Sequence, residues 1–316
     1  MKLISTAQIA ESTLSDSTFD VFVAASGYET RAVYTLLHVN PKHIPVKVAF
    51  GFTDRITAQR EDNDHTFERA GVGLIPASGD SPHVVREFVR RQLEEFKGDR
   101  VRLFADYSCM TRTWYAGLIE AVESVGNKKT IECVFNYSPA QFASPLDTAP
   151  NAVVGPIPGF CSLDEPEKPS ALVLGLGYER ERALGLLEYV DPAISFAFYT
   201  DPALDNRYAD VVVANNSALL DRMPKERIYR HPLADLQRTA NLLLSLYSGL
   251  RDEYRVILAP LGVKPFSLLC LLLAARFADL DVWRVTPGAK APPQDRKPLG
   301  PILLFEAIFE RSAGQE

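Results

Sequence analysis

The chain has 316 residues, 47% hydrophobic and 23% charged, which is typical of a globular protein with room for two domains. Its net charge of -6 disfavours non-specific binding to duplex DNA or to an anionic membrane, because such binding depends on many cationic contacts. No apolar run approaches the roughly 20 residues that cross a bilayer, and residues 1–17 lack a signal-peptide pattern. We therefore expect a cytoplasmic protein without a membrane span, whose 4 cysteines, none in a CxxC pair, are reduced thiols.

Residues 19–138 alternate apolar runs with helical patterns. The apolar runs, which we interpret as strands, are 19–25, 46–52, 71–76, 101–105 and 130–135. Near-continuous apolar runs of this length are typical of strands that are buried on both faces of a parallel sheet. This order of elements predicts an α/β fold with a doubly wound, mostly parallel sheet.

The second half of the chain repeats the pattern. Its predicted strands are 172–176, 194–199, 227–229, 255–259 and 282–285, with a last apolar element at 302–309. The first strand of each half runs into Gly, Tyr and Glu with arginines close behind, in ASGYETR at 25–31 and LGYERER at 176–182. Landmarks that recur in the same order indicate an internal duplication. The sequence thus predicts two Rossmann-like domains, 1–138 and 171–316, joined by a Pro-rich linker at 139–170.

Two unusual loops in each half follow the first and fourth strands. In open α/β sheets, ligands bind beyond the carboxyl ends of the strands where the strand order reverses, commonly between these two strands. Each loop opens a helix, whose free N–H groups suit a phosphate, and a nearby cation completes such a site. We expect the two copies to aim their loops at one composite cleft. The candidate ligand-binding residues are Ser26, Gly27, Tyr28, Arg31, Ser108, Thr111 and Arg112 in the first half, and Gly177, Tyr178, Arg182, Gly262 and Lys264 in the second.

The loop DYSCMTR at 106–112 resembles the ligand-binding segment of CARF domains, and GVKPFSLL at 262–269 looks similar to the same segment. The resemblance extends to SAVED domains, which fuse two such units in one chain. It implies a sensor or accessory subunit that binds a nucleotide-type ligand, such as a cyclic oligonucleotide, in a prokaryotic antiviral defence or stress system. Such a sensor acts through a protein partner or a homo-oligomer. The arginines and Lys264 would then meet phosphates, while Tyr28 and Tyr178 would meet bases.

Two other functions remain open, so the sequence leaves enzymatic activity undecided. A carboxylate in a strand-end cleft can act as nucleophile or general base in cleaving an N-glycosidic bond. Glu29 or Glu179, with Asp106, therefore suits a nucleoside or nucleotide N-glycosidase of the deoxyribosyltransferase kind. In the structural interpretation, each glutamate simply pairs with an arginine of its own loop. The third function is a scaffold for protein–protein interaction, which exposure of the apolar helix at 268–277 would favour.

Several other polar residues favour structural roles. The loop glycines suit tight turns as well as ligand contact, and the tyrosines suit packing as well as base stacking. Asp54 and Asp201 follow the second strands, where helix capping is favoured over a ribose contact because no GxGxxG pattern accompanies them. The polar run at 61–65 suits a solvated surface better than a metal site, and Cys109 has no histidine partner nearby in sequence. Since nucleotide-loop, kinase and HExxH motifs are also missing, we expect neither a metal nor a cofactor.

Overall fold

The computed structural model describes residues 1–54, 56–126, 129–145, 151–162, 167–287 and 293–311. It divides the chain into two compact units. Unit 1 consists of Met1–Gln141 and Pro293–Glu316, and unit 2 consists of Phe142–Pro292. Each unit is built on one mostly parallel sheet with helices between the strands, so the predicted Rossmann-like α/β fold class is confirmed.

The strands of the described residues, in chain order, are β1 (Lys2–Ile9), β2 (Val21–Ser26), β3 (Val46–Phe52), β4 (Gly73–Ala77), β5 (Arg100–Asp106), β6 (Thr130–Tyr137), β7 (Asn151–Pro156), β8 (Ser170–Gly175), β9 (Ile194–Thr200), β10 (Ile228–His231), β11 (Arg255–Pro260), β12 (Asp281–Pro287) and β13 (Leu303–Glu310). The α-helices are α1 (Arg60–Arg69), α2 (His83–Glu95), α3 (Arg112–Ser124), α4 (Arg182–Val190), α5 (Asn206–Asn215), α6 (Ser217–Leu220), α7 (Leu236–Leu250) and α8 (Lys264–Arg276). Short 3-10 helices cover Glu11–Leu14, Thr30–Leu37, Pro41–His43 and Lys225–Arg227.

The sheet of unit 1 has the order β1-β13-β6-β5-β2-β3-β4. Strands β6 to β4 along this order are parallel, whereas β13 pairs antiparallel with β6 and β1 pairs antiparallel with β13 at the edge. Every residue of β2 is buried, as its continuous apolar run predicts for a strand covered on both faces. The strand order reverses between β2 and β5, where this fold offers a crevice beyond the carboxyl ends.

The sheet of unit 2 has the order β10-β9-β8-β11-β12-β7. All of its strands are parallel except β7, which joins β12 in the antiparallel direction. Here the order reverses between β8 and β11. The five parallel strands therefore follow the same order in both units. The loops that were predicted to carry the site follow equivalent strands in the two sheets. A shared order is what a duplication would leave, and the duplication itself stays a prediction.

Two segments differ from the predicted division into domains. The last strand, β13, pairs with β6 and β1 in unit 1, although the sequence assigned 171–316 to the second domain. The predicted linker at 139–170 contains β7, which pairs with β12 in unit 2. Residues 2–9, where the sequence predicted no strand, form β1 in the sheet of unit 1. Each of these pairings joins segments that are distant in sequence, so a local pattern indicates a strand without indicating its partner.

The helix that follows β2 is a 3-10 helix, Thr30–Leu37. The β-branched residues Thr30, Val33 and Thr35 occupy three of its first six positions. Such side chains lose rotamer freedom in an α-helix, which lowers their preference for it. The first turn of this element is accordingly short and tight.

Helix α8 is enclosed by its own unit. Residues 265–274 are buried, and the helix packs on α7, β11 and β12. The exposure that would favour a scaffold is therefore not observed over this stretch. Within the described parts of the chain, no helix combines the length and the apolar character that a membrane span needs.

Candidate functional site

The loop that follows β2 is held by one asparagine of α1. Asn63 Nδ2 donates hydrogen bonds to the carbonyl oxygens of Gly27, at 2.8 Å, and Glu29, at 2.9 Å. Asn63 is only 3% exposed, so both of its amide protons exchange water for loop carbonyls. The path of the loop over residues 27–29 is therefore fixed by a side chain that the sequence analysis did not single out.

The polar run at 61–65 lies on α1. One of its residues, Asp64, lies at the same end of the sheet as the β2 loop. Asp64 Oδ1 accepts from Ser26 Oγ at 2.5 Å and from Arg60 Nε at 2.8 Å. Arg60 Nη1 donates in turn to the carbonyl of Phe52, the last residue of β3. The hydrogen bond between Ser26 and Asp64 thus joins strand β2 to helix α1. Among the described residues, no group of three His, Cys, Asp or Glu side chains is arranged to hold a metal ion.

Unit 2 holds its β8 loop in the same way. Asn216 Nδ2 donates to the carbonyl of Gly177 at 2.8 Å, and Asn215 Nδ2 donates to the carbonyl of Tyr178 at 2.6 Å. Asn216 is as buried as its counterpart in unit 1. The signal in the sequence was an asparagine in the helical segment after the second strand of each half. A lone asparagine is too common in helices for that signal to be recognised.

Arg31 is committed to contacts inside unit 1. Its Nε donates to Glu29 Oε2 at 2.5 Å, and its Nη1 donates to the carbonyl of Ser138 at 2.7 Å. The arginine and glutamate side chains are 5% and 13% exposed. Burial works against the charged guanidinium, yet Glu29, Tyr137 and Cys109 raise the pKa of Arg31 well above its ordinary value. The structural interpretation of the Glu29–Arg31 pair is confirmed, and a phosphate at Arg31 would have to break it.

A carboxylate of this chain occupies the first turn of the 3-10 helix after β2. Asp295 Oδ1 accepts from the backbone N–H of Thr30 at 2.7 Å and from its Oγ1 at 3.0 Å. The carbonyl of Arg296 accepts from the backbone N–H of Arg31 at 3.2 Å. Donors that this helix could offer to an anion are therefore bonded within unit 1. The sequence could not indicate this contact, because 265 positions separate the two residues.

Asp106 ends β5 and holds the loop that follows it. Its Oδ1 accepts from the backbone N–H of Ser108 at 3.0 Å and from Ser108 Oγ at 2.5 Å. Ser108 Oγ accepts in turn from the backbone N–H of Ser138 at 2.8 Å. Asp106 is 2% exposed, and this burial raises the pKa of its carboxyl group against the opposing effect of the Ser108 hydrogen bonds. Asp106 therefore positions the loop that follows β5, and its carboxyl group is not accessible to solvent.

The two central loops of unit 1 meet through side chains. A Cβ added at Gly27 would lie 3.3 Å from the Cβ of Cys109. Cys109 Sγ lies 3.8 Å from Glu29 Oε2, so the predicted Glu29 site contacts a cysteine of the second loop. Tyr28 is half-buried, and its carbonyl accepts from the backbone N–H of Gln59 at 3.3 Å. Three half-buried residues therefore belong to these two loops: Tyr28, Glu29 and Cys109.

The corresponding loops of unit 2 meet through their backbones. A Cβ added at Gly177 would lie 2.6 Å from the carbonyl oxygen of Leu261. A Cβ added at Gly262 would lie 2.3 Å from the carbonyl oxygen of Leu176. No real Cβ approaches backbone so closely, so both positions require glycine for close packing. The close packing expected at Gly177 is therefore observed, and Gly262 is packed in the same way.

The predicted helix-start residues lie where the sequence placed them. Thr111 is the N-cap of α3, and its Oγ1 accepts from the backbone N–H of Trp114 at 3.2 Å. Arg112 is the first residue of α3 and Lys264 the first residue of α8, and both are half-buried. Each cation thus lies at the positive end of a helix, the arrangement expected beside a bound anion.

Arg182 begins α4 in unit 2, and its guanidinium is only partly satisfied. Nη1 lies 3.4 Å from Glu179 Oε1, and the arginine side chain is 10% exposed. The other terminal nitrogen, Nη2, is buried without a hydrogen-bond partner among the described residues. A buried donor without an acceptor costs about 1–3 kcal/mol, and more when it is charged. The preceding residue, Glu181, has a φ of 58°, in the left-handed region that non-glycine residues seldom adopt.

Comparison with known proteins adds little to this geometry. No family model matches the chain, and no curated protein matches it. One solved structure that it resembles is a 16S rRNA methyltransferase of T. thermophilus, in complex with AdoMet and guanosine. The two are 10% identical, with 96% of this chain and 91% of that chain covered, and the TM-score is 0.21. A TM-score this low carries no argument about function. The fold assignment given above is based on the strand order of the two sheets.

Proposed function

We propose that this chain is a sensor that binds a nucleotide-type ligand at the β8 loop of unit 2. The observation that carries the proposal is Arg182 Nη2, a charged donor that is buried without a partner among the described residues. Phosphate matches a guanidinium well, because its oxygens accept two parallel hydrogen bonds and carry a full charge. The helix that begins at Arg182 adds the positive end of its dipole.

Binding at Arg182 requires the loop at 179–181 to move, because Nη2 is enclosed. The present contact with Glu179 is long at 3.4 Å, so little is lost when this carboxylate turns away. The left-handed Glu181 supplies a second local cost that a new loop path removes. The liganded and unliganded loops then differ in conformation, which is what a sensor needs in order to report occupancy.

The wider biological role rests on the resemblance to CARF and SAVED domains. On that basis the ligand is a cyclic oligonucleotide, and the chain acts through a protein partner or a homo-oligomer in prokaryotic antiviral defence or stress. The composite cleft between the two copies stays a prediction of the sequence. The proposal of a site at Arg182 depends only on contacts within unit 2.

Calorimetric titration with cyclic nucleotides and mononucleotides tests the proposal. We expect wild-type protein to bind at least one of them, and Arg182→Ala to weaken that binding by about tenfold or more, because a charge-assisted hydrogen bond is lost. Arg180→Ala is the matched control, since the Arg180 side chain is 80% exposed two residues earlier in the same loop. An absence of binding to every nucleotide, or equal losses in the two variants, would contradict the proposal.

A second candidate, N-glycosidase activity, is supported by the setting of Glu29 in unit 1. Arg31 Nε holds Oε2, and Asn63 holds the backbone carbonyl, so the carboxylate has a fixed direction. At 13% exposure the side chain still reaches solvent. A carboxylate that is oriented in this way suits a nucleophile toward an anomeric carbon. Asp106 would then hold the neighbouring loop in place, with no contact to substrate.

Release of free base from nucleotides, including NAD, tests this second candidate by chromatography. We expect Glu29→Gln to slow release by at least about a hundredfold, because an amide replaces the nucleophile. Glu68→Gln is the matched control, since that side chain is 58% exposed on α1 of the same unit. A melting curve by circular dichroism checks that Glu29→Gln still folds. Equal rates in wild type and Glu29→Gln, or no release by wild type, would remove this mechanism.

A further inference from the structure

A row of three aromatic rings lies beside the β8 loop in unit 2. The ring centroids of Tyr178 and Tyr208 are 6.4 Å apart, and those of Tyr208 and Phe142 are 5.0 Å apart. The guanidinium carbon of Arg207 lies 4.7 Å from the centroid of Phe142. All three aromatic residues are half-buried, so each keeps part of its surface in solvent. The row thus presents the kind of surface on which nucleobases stack.

The row and Arg182 belong to one local assembly. Tyr178 lies in the loop that leads to Arg182, and Asn215 Nδ2 donates to its carbonyl at 2.6 Å. Tyr208 lies on α5, the helix that ends with Asn215. One helix therefore carries part of the row and also fixes the loop that leads to Arg182. A ligand anchored by a phosphate at Arg182 has an aromatic surface next to its anchoring loop.

Two exposed arginines near the row are already paired. Arg207 pairs with Asp205 at 2.6 Å, and Arg180 pairs with Glu181 at 3.6 Å. Because these pairs cancel locally, the row offers little extra attraction to a second phosphate. A flat, uncharged group suits this surface better, and the Arg207 guanidinium can still contribute a cation–π contact to it.

We propose that the row binds the base of the ligand, so that the ligand is a nucleotide whose phosphate pairs with Arg182 and whose base stacks on Tyr208. The inference rests on the proposed function of Arg182 and adds the requirement for an aromatic base. It excludes phosphorylated sugars and inorganic phosphates as preferred ligands. In the competing interpretation, the three rings only cover one another and take no part in binding.

The test compares adenosine monophosphate with ribose phosphate, which carries the same phosphate and no base, by calorimetric titration of the full chain. We expect the nucleotide to bind more tightly by on the order of tenfold, the usual effect of one stacked base. Tyr208→Leu is expected to remove this preference, and Tyr208→Phe to keep it. Tyr189→Leu, at a tyrosine of α4 that is 64% exposed, is the matched control. If Tyr208→Leu fails to fold, as judged by circular dichroism, Phe142→Leu takes its place.

The outcomes separate this inference from the proposal on which it rests. Binding of neither compound, and of no other nucleotide, would overturn the Arg182 site together with the base site. Equal binding of both compounds, with the Arg182→Ala loss intact, would overturn only the base site. A preference for adenosine monophosphate that survives in Tyr208→Leu would also overturn it. The expected result is a preference that disappears in Tyr208→Leu and persists in Tyr208→Phe and Tyr189→Leu.

Discussion

Replacing Gly262 by alanine is expected to destabilise unit 2 by about 3 kcal/mol or more. The new Cβ would lie 2.3 Å from the carbonyl oxygen and 3.0 Å from the carbonyl carbon of Leu176. These are backbone atoms, so no side-chain rotation relieves the clash, and the two loops must separate. Separation would break the hydrogen bond from the backbone N–H of Leu261 to the carbonyl of Gly175, which is 2.8 Å long.

Urea denaturation followed by circular dichroism measures this effect. Gly249 provides the control, because it lies in α7 of the same unit and an added Cβ there meets no atom within 4 Å. Gly249→Ala should stabilise the protein by about 0.5 kcal/mol, since alanine restricts the unfolded chain and favours the helix. If Gly262→Ala unfolded at the same urea concentration as the wild type, the backbone contact between the two loops would be ruled out.

The sequence predicted the parallel strands well and the antiparallel pairings poorly, for a physical reason. The predicted second strand, 46–52, coincides with β3 because a run of apolar residues buried on both faces leaves a strong local signal. By contrast, β13 alternates buried and half-buried positions toward its end, a pattern that does not indicate which sheet the strand joins. Strand β7 lies in a Pro-rich stretch, which favoured a linker. The partners of these antiparallel strands are set by long-range pairing, which local sequence patterns do not contain.

The site was predicted at the level of loops and only partly at the level of side chains. Arg31 and Arg182 follow the same Gly-Tyr-Glu pattern, yet Arg31 also donates to the carbonyl of Ser138, whereas Nη2 of Arg182 has no partner among the described residues. The difference comes from the carbonyl of Ser138, a residue of a distant loop that the pattern could not place. The roles of Asn63 and Asn216 were also beyond local analysis, because each acts on a loop more than thirty residues away.

The stability of unit 2 is expected to fall by about 3 kcal/mol as the pH is lowered from 6.5 to 4, because of one buried histidine. His231 ends β10 and is 3% exposed. Its Nε2 lies 3.3 Å from Thr200 Oγ1, and its ring centroid lies 5.2 Å from that of Phe266. Burial lowers the pKa of this imidazole to about 4. The unfolded chain, with an ordinary histidine pKa, therefore binds a proton over this range that the folded chain does not.

The sign follows from the proton count, since stability rises with pH wherever the unfolded state binds more protons. His231→Gln keeps a polar group near Thr200 and removes the titration, so its unfolding free energy should change less between pH 6.5 and pH 4 than that of the wild type. Urea unfolding at several pH values measures the difference, and nuclear magnetic resonance of the imidazole protons, assigned by their loss in His231→Gln, gives the pKa directly. A His231 signal that titrates near its ordinary pKa would mean that water reaches the ring, and the pH effect would then vanish. A depressed pKa without a pH-dependent stability difference would instead mean that the unfolded state also shields this histidine.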